Sequence, residues 1–318
     1  MIAVDLSAEL REMFLPAPLW ARLESLDEVV RGLRDAEVLV TGWGAPRLDA
    51  ALLADLPGLR LVAHTGAAVG FLVSGELFAR GIRVTQTGAA MAPAVAEAAL
   101  TFTLSLLHQT HRFSLGLHDG QDWHGLIAAA PPRAELRGCV VGVVGASRTG
   151  RAYLQLLRAL GAVPLLSDPL ISYGEAEALG ASLVPLDELL ARSRVVALHA
   201  PAIPATRHLL GRRELALMAD GAALVNTARS WLVDSDALLD ELTSGRLDAA
   251  LDVFDEEPLP AESPLRGLPN VLLTPHQAAG TMQARRRQGE LVIEEIARFL
   301  RGEPLRHEIT EDALRWTA

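Results

Sequence analysis

Short runs of β-branched and leucine residues recur along the chain, separated by segments whose apolar residues have helical spacing. Runs of this length, bounded by glycine, proline or polar residues, predict buried strands. Strands that alternate with helices predict parallel sheets with helices on both faces. The predicted strands are 37–41, 59–64, 82–86, 138–144, 163–167, 194–199, 222–226, 249–253 and 271–274. The predicted helices are 19–31, 49–55, 71–80, 93–118, 150–160, 173–180, 186–191, 234–244 and 281–301.

This alternation is regular after residue 138 and is repeated on a smaller scale before residue 100. The helical pattern 93–118 is expected to connect the two halves, and the helix 281–301 is expected to return to the first half. We therefore predict an α/β protein of two Rossmann-like, doubly wound domains. The predicted domains are a larger Rossmann domain over 101–289 and a smaller, flavodoxin-like domain over 1–100 and 290–318.

Polar side chains follow three consecutive predicted strands. Arg229 ends the run AALVNTAR, Glu257 lies in AALDVFDEEP, and His276 ends VLLTPH. Ligands of an open parallel sheet bind beyond the carboxyl ends of its strands, so these side chains are expected to meet there. A carboxylate can orient a histidine and stabilise its charged form. A lone histidine at a strand end is usually a packing residue, but this trio predicts acid/base catalysis.

Residues 145–150 (GASRTG) follow a predicted strand, open a predicted helix and occupy the place of a G-x-G-x-x-G fingerprint. The first glycine permits the turn, and the last lets the helix pack closely on the strand. Ser147 replaces the middle glycine, where its hydroxyl either binds the phosphates or weakens the binding of the cofactor. The helix start would direct its N–H groups at a pyrophosphate. The predicted cofactor-binding residues here are Gly145, Ser147, Arg148, Thr149 and Gly150.

Asp168 follows the next strand and is placed to accept a hydrogen bond from a ribose hydroxyl. The alternative is a cap at the end of the strand. No arginine stands directly beside it in sequence, and a carboxylate would repel a 2′-phosphate. The residue therefore favours NAD over NADP, and 101–289 is the predicted NAD-binding domain.

Several ordered blocks together resemble the D-isomer-specific 2-hydroxyacid dehydrogenases over roughly residues 60–300. The blocks are GVVGASRTGR at 142–151, SDP at 167–169, LHAP…T at 198–206, VNTAR at 225–229, LDVFDEEP at 251–258 and LLTPH at 272–276. The resemblance implies that His276 is the general acid/base, that Glu257 holds it, and that Arg229 binds the 2-oxo acid. It also implies that Asp252 faces the nicotinamide carboxamide. Two further residues would line the nucleotide cleft: Pro201 and Thr206.

The segment HTGAAVGFLV, residues 64–73, departs most from the family pattern, which reads G-x-G-x-D-N-x-D. Ala68, Gly70, Phe71 and Val73 stand at its second glycine, first aspartate, asparagine and second aspartate. The loss of both acids leaves the identity of the substrate open. The main-chain N–H groups predicted to bind a substrate carboxylate are those of Ala67, Ala68 and Val69. The domain over 1–100 and 290–318 is therefore the predicted substrate-binding domain.

Tryptophans give a weaker signal. Trp231 follows the predicted catalytic arginine, where it either narrows the pocket or is a surface aromatic. Trp43 and Trp123 are interpreted as packing residues.

Composition and charge restrict the partners. The net charge is −10, with acids spread along the chain, so nucleic acid is not expected as a partner. All basic residues are arginines, which excludes chemistry that depends on a lysine nucleophile. The one cysteine, Cys139, excludes an internal disulfide, and no metal site is predicted.

The apolar run 86–107 contains Pro93 and Glu97 and predicts a buried helix, so no membrane contact is expected. Without a visible secretion signal, the cytoplasm is the expected location.

The leading hypothesis is an NAD-dependent oxidoreductase that interconverts a small 2-oxo acid and its D-2-hydroxy acid. A catalytically weak NAD(H)-sensing protein on the same fold is the alternative, favoured by the altered segment 64–73. Formate oxidation is a third possibility, but that branch carries glutamine where this chain has Glu257. The resemblance also implies a homodimer joined through the nucleotide-binding domains.

Overall fold

A computed structural model describes residues 1–30 and 32–315. In that part of the chain the strands are β1 (Ile2–Asp5), β2 (Val29–Val30), β3 (Val38–Thr41), β4 (Leu61–His64), β5 (Arg83–Thr85), β6 (Val140–Val144), β7 (Val163–Ser167), β8 (Ser182–Leu183), β9 (Val195–Leu198), β10 (Ala223–Asn226), β11 (Asp248–Leu251) and β12 (Val271–Leu273). The helices are α1 (Ala8–Phe14), α2 (Ala17–Glu24), α3 (Ala50–Ala54), α4 (Gly75–Ala79), α5 (Gly88–His108), α6 (Thr110–His118), α7 (Trp123–Ala129), α8 (Arg148–Ala159), α9 (Tyr173–Ala178), α10 (Leu186–Arg192), α11 (Arg212–Leu217), α12 (Ser235–Thr243) and α13 (Met282–Leu300). Two compact units result, unit 1 with Met1–Ala92 and Gly280–Ala318, and unit 2 with Pro93–Ala279.

Unit 1 contains a five-stranded parallel sheet in the order β2-β1-β3-β4-β5. Alternate residues of its strands point to opposite faces, so a sheet covered on both faces needs strands that are apolar throughout. In β3, Val38 and Val40 join the core beneath α1, α2 and α13, whereas Leu39 joins the core on the other face. The strand order is that of a flavodoxin-like sheet, as predicted.

The C-terminal part of the chain completes unit 1. Helix α13 packs so closely against the end of α1 that a Cβ at Gly289 would lie 1.8 Å from the Phe14 carbonyl oxygen. After α13, the chain runs along the edge strand β5, where the Ile309 N–H donates to the Val84 carbonyl at 2.8 Å. An ion pair between Arg83 and Glu308 fixes this segment at 2.5 Å. The edge strand is thereby covered.

Unit 2 contains a seven-stranded parallel sheet in the order β12-β11-β10-β9-β6-β7-β8. This is the doubly wound order of a dinucleotide-binding domain with one strand added at the end. Val195 and Ala197 of β9 face the core that includes α5 and α8, and Val196 and Leu198 face the core that includes α10 to α12. The predicted fold class, two doubly wound α/β domains, is confirmed.

Several predicted helix and strand boundaries were wrong. The helix predicted for 19–31 ends at Glu24, and Val29–Val30 form β2, because pairing with β1 decides this short segment. Residue 31 lies outside the described residues, as do residues 316–318 of the predicted first domain. Strands β1, β2 and β8, and helices α1, α7 and α11, were not predicted. The unit boundaries fall at Ala92 and Gly280, whereas residues 100 and 290 were predicted.

The helical pattern 93–118 is broken into two helices. Gln109 adopts a left-handed backbone with φ 57°, and its amide donates to the Leu106 carbonyl and to the Asp248 carboxylate, both at 2.7 Å. A buried tertiary hydrogen bond therefore decides the break. Helix α5 is long and apolar enough to cross a membrane, but half of its apolar window is buried inside the structure. Phe102 and Leu106 lie in the core of unit 2, as in a core helix.

Candidate functional site

The carboxyl ends of β10, β11 and β12 lie side by side in unit 2. Asn226 of β10 is paired with Leu251 of β11, and Leu251 is paired with Leu273 of β12. The segments that follow these strands carry Arg229, Glu257 and His276. The sheet therefore brings all three predicted segments to one edge.

His276 and Glu257 form a hydrogen-bonded pair. The His276 Nδ1 lies 2.7 Å from a Glu257 carboxylate oxygen, and the other carboxylate oxygen accepts from the Phe254 N–H at 3.0 Å. An ionised carboxylate only accepts, so Nδ1 carries the proton of the neutral ring and Nε2 is its basic nitrogen. That Nε2 has no hydrogen-bond partner among the described residues.

The surroundings of Glu257 favour the charged form of its carboxylate. Burial raises the pKa of its carboxyl, but the hydrogen bonds from His276 and Phe254, with the nearby charges of His276 and Arg229, lower that pKa below its usual value overall. An ionised Glu257 stabilises a positive charge on His276.

Asp252 organises the loop that carries His276. Its buried carboxylate accepts hydrogen bonds from the Thr274 hydroxyl at 2.5 Å and from the main-chain N–H groups of Gln277 at 2.8 Å and Ala278 at 2.9 Å. These contacts hold His276 in a left-handed backbone conformation with φ 53°. Such a conformation costs free energy in a residue other than glycine and persists where the surroundings fix it.

Arg229 follows β10 in a loop fixed by the preceding asparagine. The Asn226 amide donates to the Arg229 carbonyl at 2.9 Å, and its side-chain oxygen accepts from the Ala228 N–H at 3.0 Å. The guanidinium donates to the Ala228 carbonyl at 2.6 Å. Burial lowers the pKa of Arg229, and the charge of Glu257 opposes that shift. A partly desolvated guanidinium interacts strongly with an anion.

A cleft of about 530 Å³ opens beside the histidine–carboxylate pair within unit 2. Its walls are mostly apolar, and it has the size of a small-ligand site. The lining residues are Phe254, Glu257, Pro258, Leu259, Arg266, Leu273, Thr274, Pro275 and His276.

The turn between β6 and α8 has the form that a pyrophosphate requires. Gly145 has φ 97°, and a Cβ there would lie 2.6 Å from the Ala200 nitrogen. A Cβ at Gly150 would lie 2.1 Å from the Gly145 carbonyl oxygen, so the turn needs both glycines. The Ser147 hydroxyl caps α8 by accepting from the Gly150 N–H at 3.2 Å.

The first N–H groups of α8, those of Arg148 and Thr149, have no acceptor among the described residues, as is usual at the start of a helix. They are available to an anion.

Asp168 stands beside this turn. One carboxylate oxygen accepts from the Ala146 N–H at 2.7 Å and the other from the Leu170 N–H at 2.8 Å. Thr206 closes the neighbouring loop, because its hydroxyl donates to the Pro201 carbonyl at 2.5 Å. The predicted cofactor residues therefore shape two loops at the same edge of the sheet.

Trp231 is tied to the loop that Thr206 closes. Its indole N–H donates to the Ile203 carbonyl at 3.0 Å, and the Arg207 guanidinium lies 5.1 Å from the centre of its ring. The Trp231 ring is therefore held in place by these contacts, although 40% of the residue is exposed.

The predicted substrate segment lies in unit 1, after β4. The main-chain N–H groups of Ala67, Ala68 and Val69 have no hydrogen-bond acceptor among the described residues. Successive free N–H groups make an anion-binding concavity. This geometry fits the carboxylate-binding role that the resemblance implies.

Comparison with known proteins identifies the family of this chain. Residues 100–278 match the family model of the D-isomer specific 2-hydroxyacid dehydrogenase, NAD binding domain. The chain belongs to the D-isomer specific 2-hydroxyacid dehydrogenase family. This confirms the predicted resemblance, and the matched domain supports NAD as the cofactor.

Relatives of this dehydrogenase family differ in length. The glyoxylate reductase of Korarchaeum cryptofilum is 32% identical over 279 residues, which cover 86% of this chain and 83% of that protein. The D-3-phosphoglycerate dehydrogenase of Methanocaldococcus jannaschii is 34% identical over 283 residues, which cover 87% of this chain and 52% of that protein. The chain thus spans about half the length of the phosphoglycerate dehydrogenase relatives.

Solved structures share the fold of this chain. The apo D-mandelate dehydrogenase of Rhodotorula graminis has a TM-score of 0.86 and 26% identity, and the match covers 98% of this chain and 97% of that chain. The TT0316 protein of Thermus thermophilus has a TM-score of 0.82 and 30% identity, with 97% of this chain and 99% of that chain covered.

Sequence reasoning missed residues that support the candidate site. Asn226 holds the loop of Arg229, and Thr274 donates to Asp252. Each is a polar residue at the end of an apolar strand, and that position could have identified it. The hydroxyl of Thr227, beside Asn226, is buried without a partner among the described residues, which suits an edge that faces a polar ligand. In the described part of the chain, no three His, Cys, Asp or Glu residues are placed to hold a metal ion.

Proposed function

We propose that this protein is an NAD-dependent oxidoreductase that interconverts a small 2-oxo acid and its D-2-hydroxy acid. The hydrogen bond between His276 and Glu257, at the sheet edge to which the neighbouring strand β10 also brings Arg229, carries the proposal. A base, its orienting carboxylate and a cation for an anionic substrate form the constellation required for proton transfer to a carbonyl oxygen.

Each member of the trio has a separate task. In the reductive direction, His276 in its charged form donates the Nε2 proton to the oxygen on C2 of the 2-oxo acid. Arg229 binds the substrate and stabilises the negative charge that develops on that oxygen. Glu257 stays ionised and stabilises the charge on His276 until the proton leaves. In the oxidative direction, His276 accepts the proton of the hydroxyl group.

The cofactor residues fit NAD. The N–H groups of Arg148 and Thr149 would hold the pyrophosphate, and Asp168 retains lone pairs for a ribose hydroxyl. When bound, NAD(H) supplies or takes up the hydride at C2. We infer that the loop of Pro201 and Thr206 lines the nucleotide. The remaining predicted cofactor contacts, Gly145, Ser147, Gly150 and Asp252, shape the turn, cap the helix or hold the histidine loop.

The substrate carboxylate is assigned to the free N–H groups of Ala67, Ala68 and Val69, as the resemblance implies. The two acids missing from this segment do not bear on that task, because the main chain provides the donors. The intact trio favours catalysis over the alternative of an NAD(H)-sensing protein.

The family resemblance also leads us to propose a homodimer. Exposed apolar side chains on α6 and α7 support this assembly, because large apolar groups on a surface mark interaction sites. These side chains are Leu115, Leu117, Trp123 and Ile127.

His276→Ala tests the proposed function. We expect turnover of a cognate 2-oxo acid with NADH to fall by roughly 10²–10⁴-fold, because the proton donor is lost. The dissociation constant for NADH, measured by fluorescence titration, should change little. Turnover equal to that of the wild type would exclude the assignment.

His208→Ala is a matched control. His208 also has a left-handed backbone, with φ 49°, its side chain is 47% exposed against 46% for His276, and a carboxylate of Asp234 lies 4.0 Å away. It is outside the trio, so turnover should stay near the wild-type value.

A further inference from the structure

A buried polar cluster in unit 1 adjoins the segment that is assigned to the substrate carboxylate. Its members are Thr65, Thr87 and Gln288, each of which is at most 1% exposed. Thr65 follows β4, Thr87 precedes α5 and Gln288 lies on α13, so residues 223 positions apart along the chain meet here. Burial of a polar side chain costs free energy unless the side chain is hydrogen-bonded, so the partners of this cluster show what it holds.

The Thr65 carbonyl is held by two donors. The Gln288 side-chain amide donates to this carbonyl at 2.8 Å, and the Thr87 hydroxyl donates to it as well. A carbonyl oxygen has two lone pairs, so both are used. The peptide unit between Thr65 and Gly66 is therefore fixed from the interior of unit 1.

The Gly66 carbonyl, which comes next along the chain, is also held by Thr87. It accepts from the Thr87 main-chain N–H at 2.9 Å. Two rings flank this glycine, because a Cβ there would lie 2.7 Å from the His64 Nε2 and 3.4 Å from the Trp43 Nε1. Gly66 is therefore fixed by its carbonyl and has no room for a side chain.

These carbonyls determine where the following N–H groups point. In a planar trans peptide unit, the carbonyl and the N–H of the next residue point in opposite directions. Because the Gly66 carbonyl points to the buried Thr87, the Ala67 N–H points away from it. The N–H groups of Ala67, Ala68 and Val69 have no acceptor among the described residues. Hydrogen bonds on the buried side of the segment thus leave donors free on its other side.

We propose that Gln288 and Thr87 are positioning residues for the segment that binds the substrate carboxylate. Both side chains are buried, so they act through the main chain and not by contact with the substrate. The inference rests on the proposed function, because it deepens the assignment of the same carboxylate-binding segment. Every contact that carries it lies within unit 1.

Binding of oxamate, a non-reacting mimic of a 2-oxo acid, tests the proposal. Calorimetric titration at saturating NADH should give a dissociation constant roughly 5–10-fold higher in Gln288→Met and in Thr87→Val than in the wild type, about the factor of one lost hydrogen bond. The two substitutions preserve the length or the branching of the side chain, so we expect both variants to fold. Thr87→Ser retains the hydroxyl and should recover most of the affinity that Thr87→Val loses.

Steady-state kinetics give a second measurement. For a 2-oxo acid that the wild type reduces, KM should rise in Gln288→Met by the same factor as the dissociation constant, while kcat changes less than about two-fold. The reason is that the carboxylate is bound equally in the ground state and in the transition state. A fall in kcat with KM unchanged would overturn the positioning role.

Glu295→Gln is the matched control on the same helix. Glu295 is also 1% exposed, lies about two turns after Gln288, and accepts from the main-chain N–H groups of Arg306 and His307, both at 3.0 Å. This variant should lower the free energy of unfolding in urea and leave the dissociation constant for oxamate within about two-fold of the wild-type value, because its contacts are separate from the segment. A rise as large as in Gln288→Met would indicate a general loss of packing and would overturn the proposal.

The positioning role and the proposed function fail in different ways. Weaker oxamate binding in Gln288→Met, but not in Glu295→Gln, supports the positioning role even if no 2-oxo acid is turned over. The absence of turnover would then count against the proposed function alone. Turnover with unchanged oxamate affinity in Gln288→Met and Thr87→Val would refute the positioning role and leave the proposed function standing. Absence of oxamate binding in the wild type would also refute the positioning role.

Discussion

At the scale of single residues, Asp252 has a role that its sequence motif did not reveal. The resemblance assigns it to the nicotinamide carboxamide, yet its carboxylate is buried and accepts three hydrogen bonds from the loop that carries His276. Two of these donors are main-chain N–H groups immediately after His276. A buried carboxylate with this many donors is a strong local constraint. Asp252 is therefore a positioning residue for His276.

Asp252→Asn tests this role. One oxygen of the carboxylate is replaced by an NH₂ group, which cannot accept from a main-chain N–H. We expect kcat/KM to fall roughly 10–100-fold, as for other groups that orient a catalytic side chain, while the dissociation constant for NADH changes less than about three-fold. An equal loss in NADH affinity would instead favour the carboxamide contact. Asp255→Asn, an exposed residue of the same loop that accepts from Ser235, should have little effect.

At the scale of elements, α8 shows how the departure at Ser147 is accommodated. The serine side chain satisfies the Gly150 N–H, one of the donors that a helix start leaves without partners. The N–H groups of Arg148 and Thr149 remain available. Ser147 therefore stabilises the start of α8, while the turn itself depends on Gly145 and Gly150.

Two variants of Ser147 distinguish its role as a helix cap from the effect of its side-chain size beside the phosphates. They are Ser147→Ala and Ser147→Gly. Loss of a serine cap should lower the free energy of unfolding by about 1 kcal/mol in the alanine variant and by only a few tenths in the glycine variant. Urea unfolding measures this difference. NADH affinity should be kept or improved in Ser147→Gly. Weaker NADH binding in both variants to the same degree would show that the hydroxyl contacts the phosphates directly.

At the scale of the whole molecule, each unit buries a histidine at the carboxyl end of a strand. His64 ends β4, where its Nδ1 pairs with the Thr41 hydroxyl at 3.0 Å. His199 follows β9, where its ring packs 5.0 Å from the ring of Tyr153. Burial lowers the pKa of His64 to about 4 and that of His199 to about 3, from an ordinary value of 6.5. Both rings are therefore neutral in the folded protein at physiological pH.

These histidines make the fold sensitive to acid. Below pH 6.5 the two histidines take up protons in the unfolded chain but stay neutral in the folded chain. The free energy of unfolding is therefore unaffected by them above pH 6.5, and it decreases as the pH falls from 6.5 toward 4 for His64 and toward 3 for His199. At pH 5 the loss should be roughly 2 kcal/mol for each site. Urea unfolding of His64→Gln and His199→Gln at pH 7.5 and pH 5 measures it. Each variant should lose less stability between the two pH values than the wild type, and an equal loss would contradict the prediction.

The sequence predicted the fold class, and it predicted the residues that follow the long strands of unit 2, because both depend on local patterns. Apolar runs of strand length and glycines at turns have the same meaning in any α/β protein. It did not predict the break at Gln109, where a side chain bonds to Asp248, a residue distant along the chain. It also missed β1, β2 and β8, which are short and depend on pairing with neighbours.

By itself, the sequence predicted the fold class, the glycine turn after β6 and the polar residues that follow β10, β11 and β12. Those features depend on residue type and spacing. Only the tertiary structure decided that Asp252 holds the His276 loop and that His64 and Trp43 flank Gly66. These facts depend on contacts between residues that are far apart along the chain. The pairing of parallel strands brings the strand ends together, and no local sequence pattern records which ends will meet.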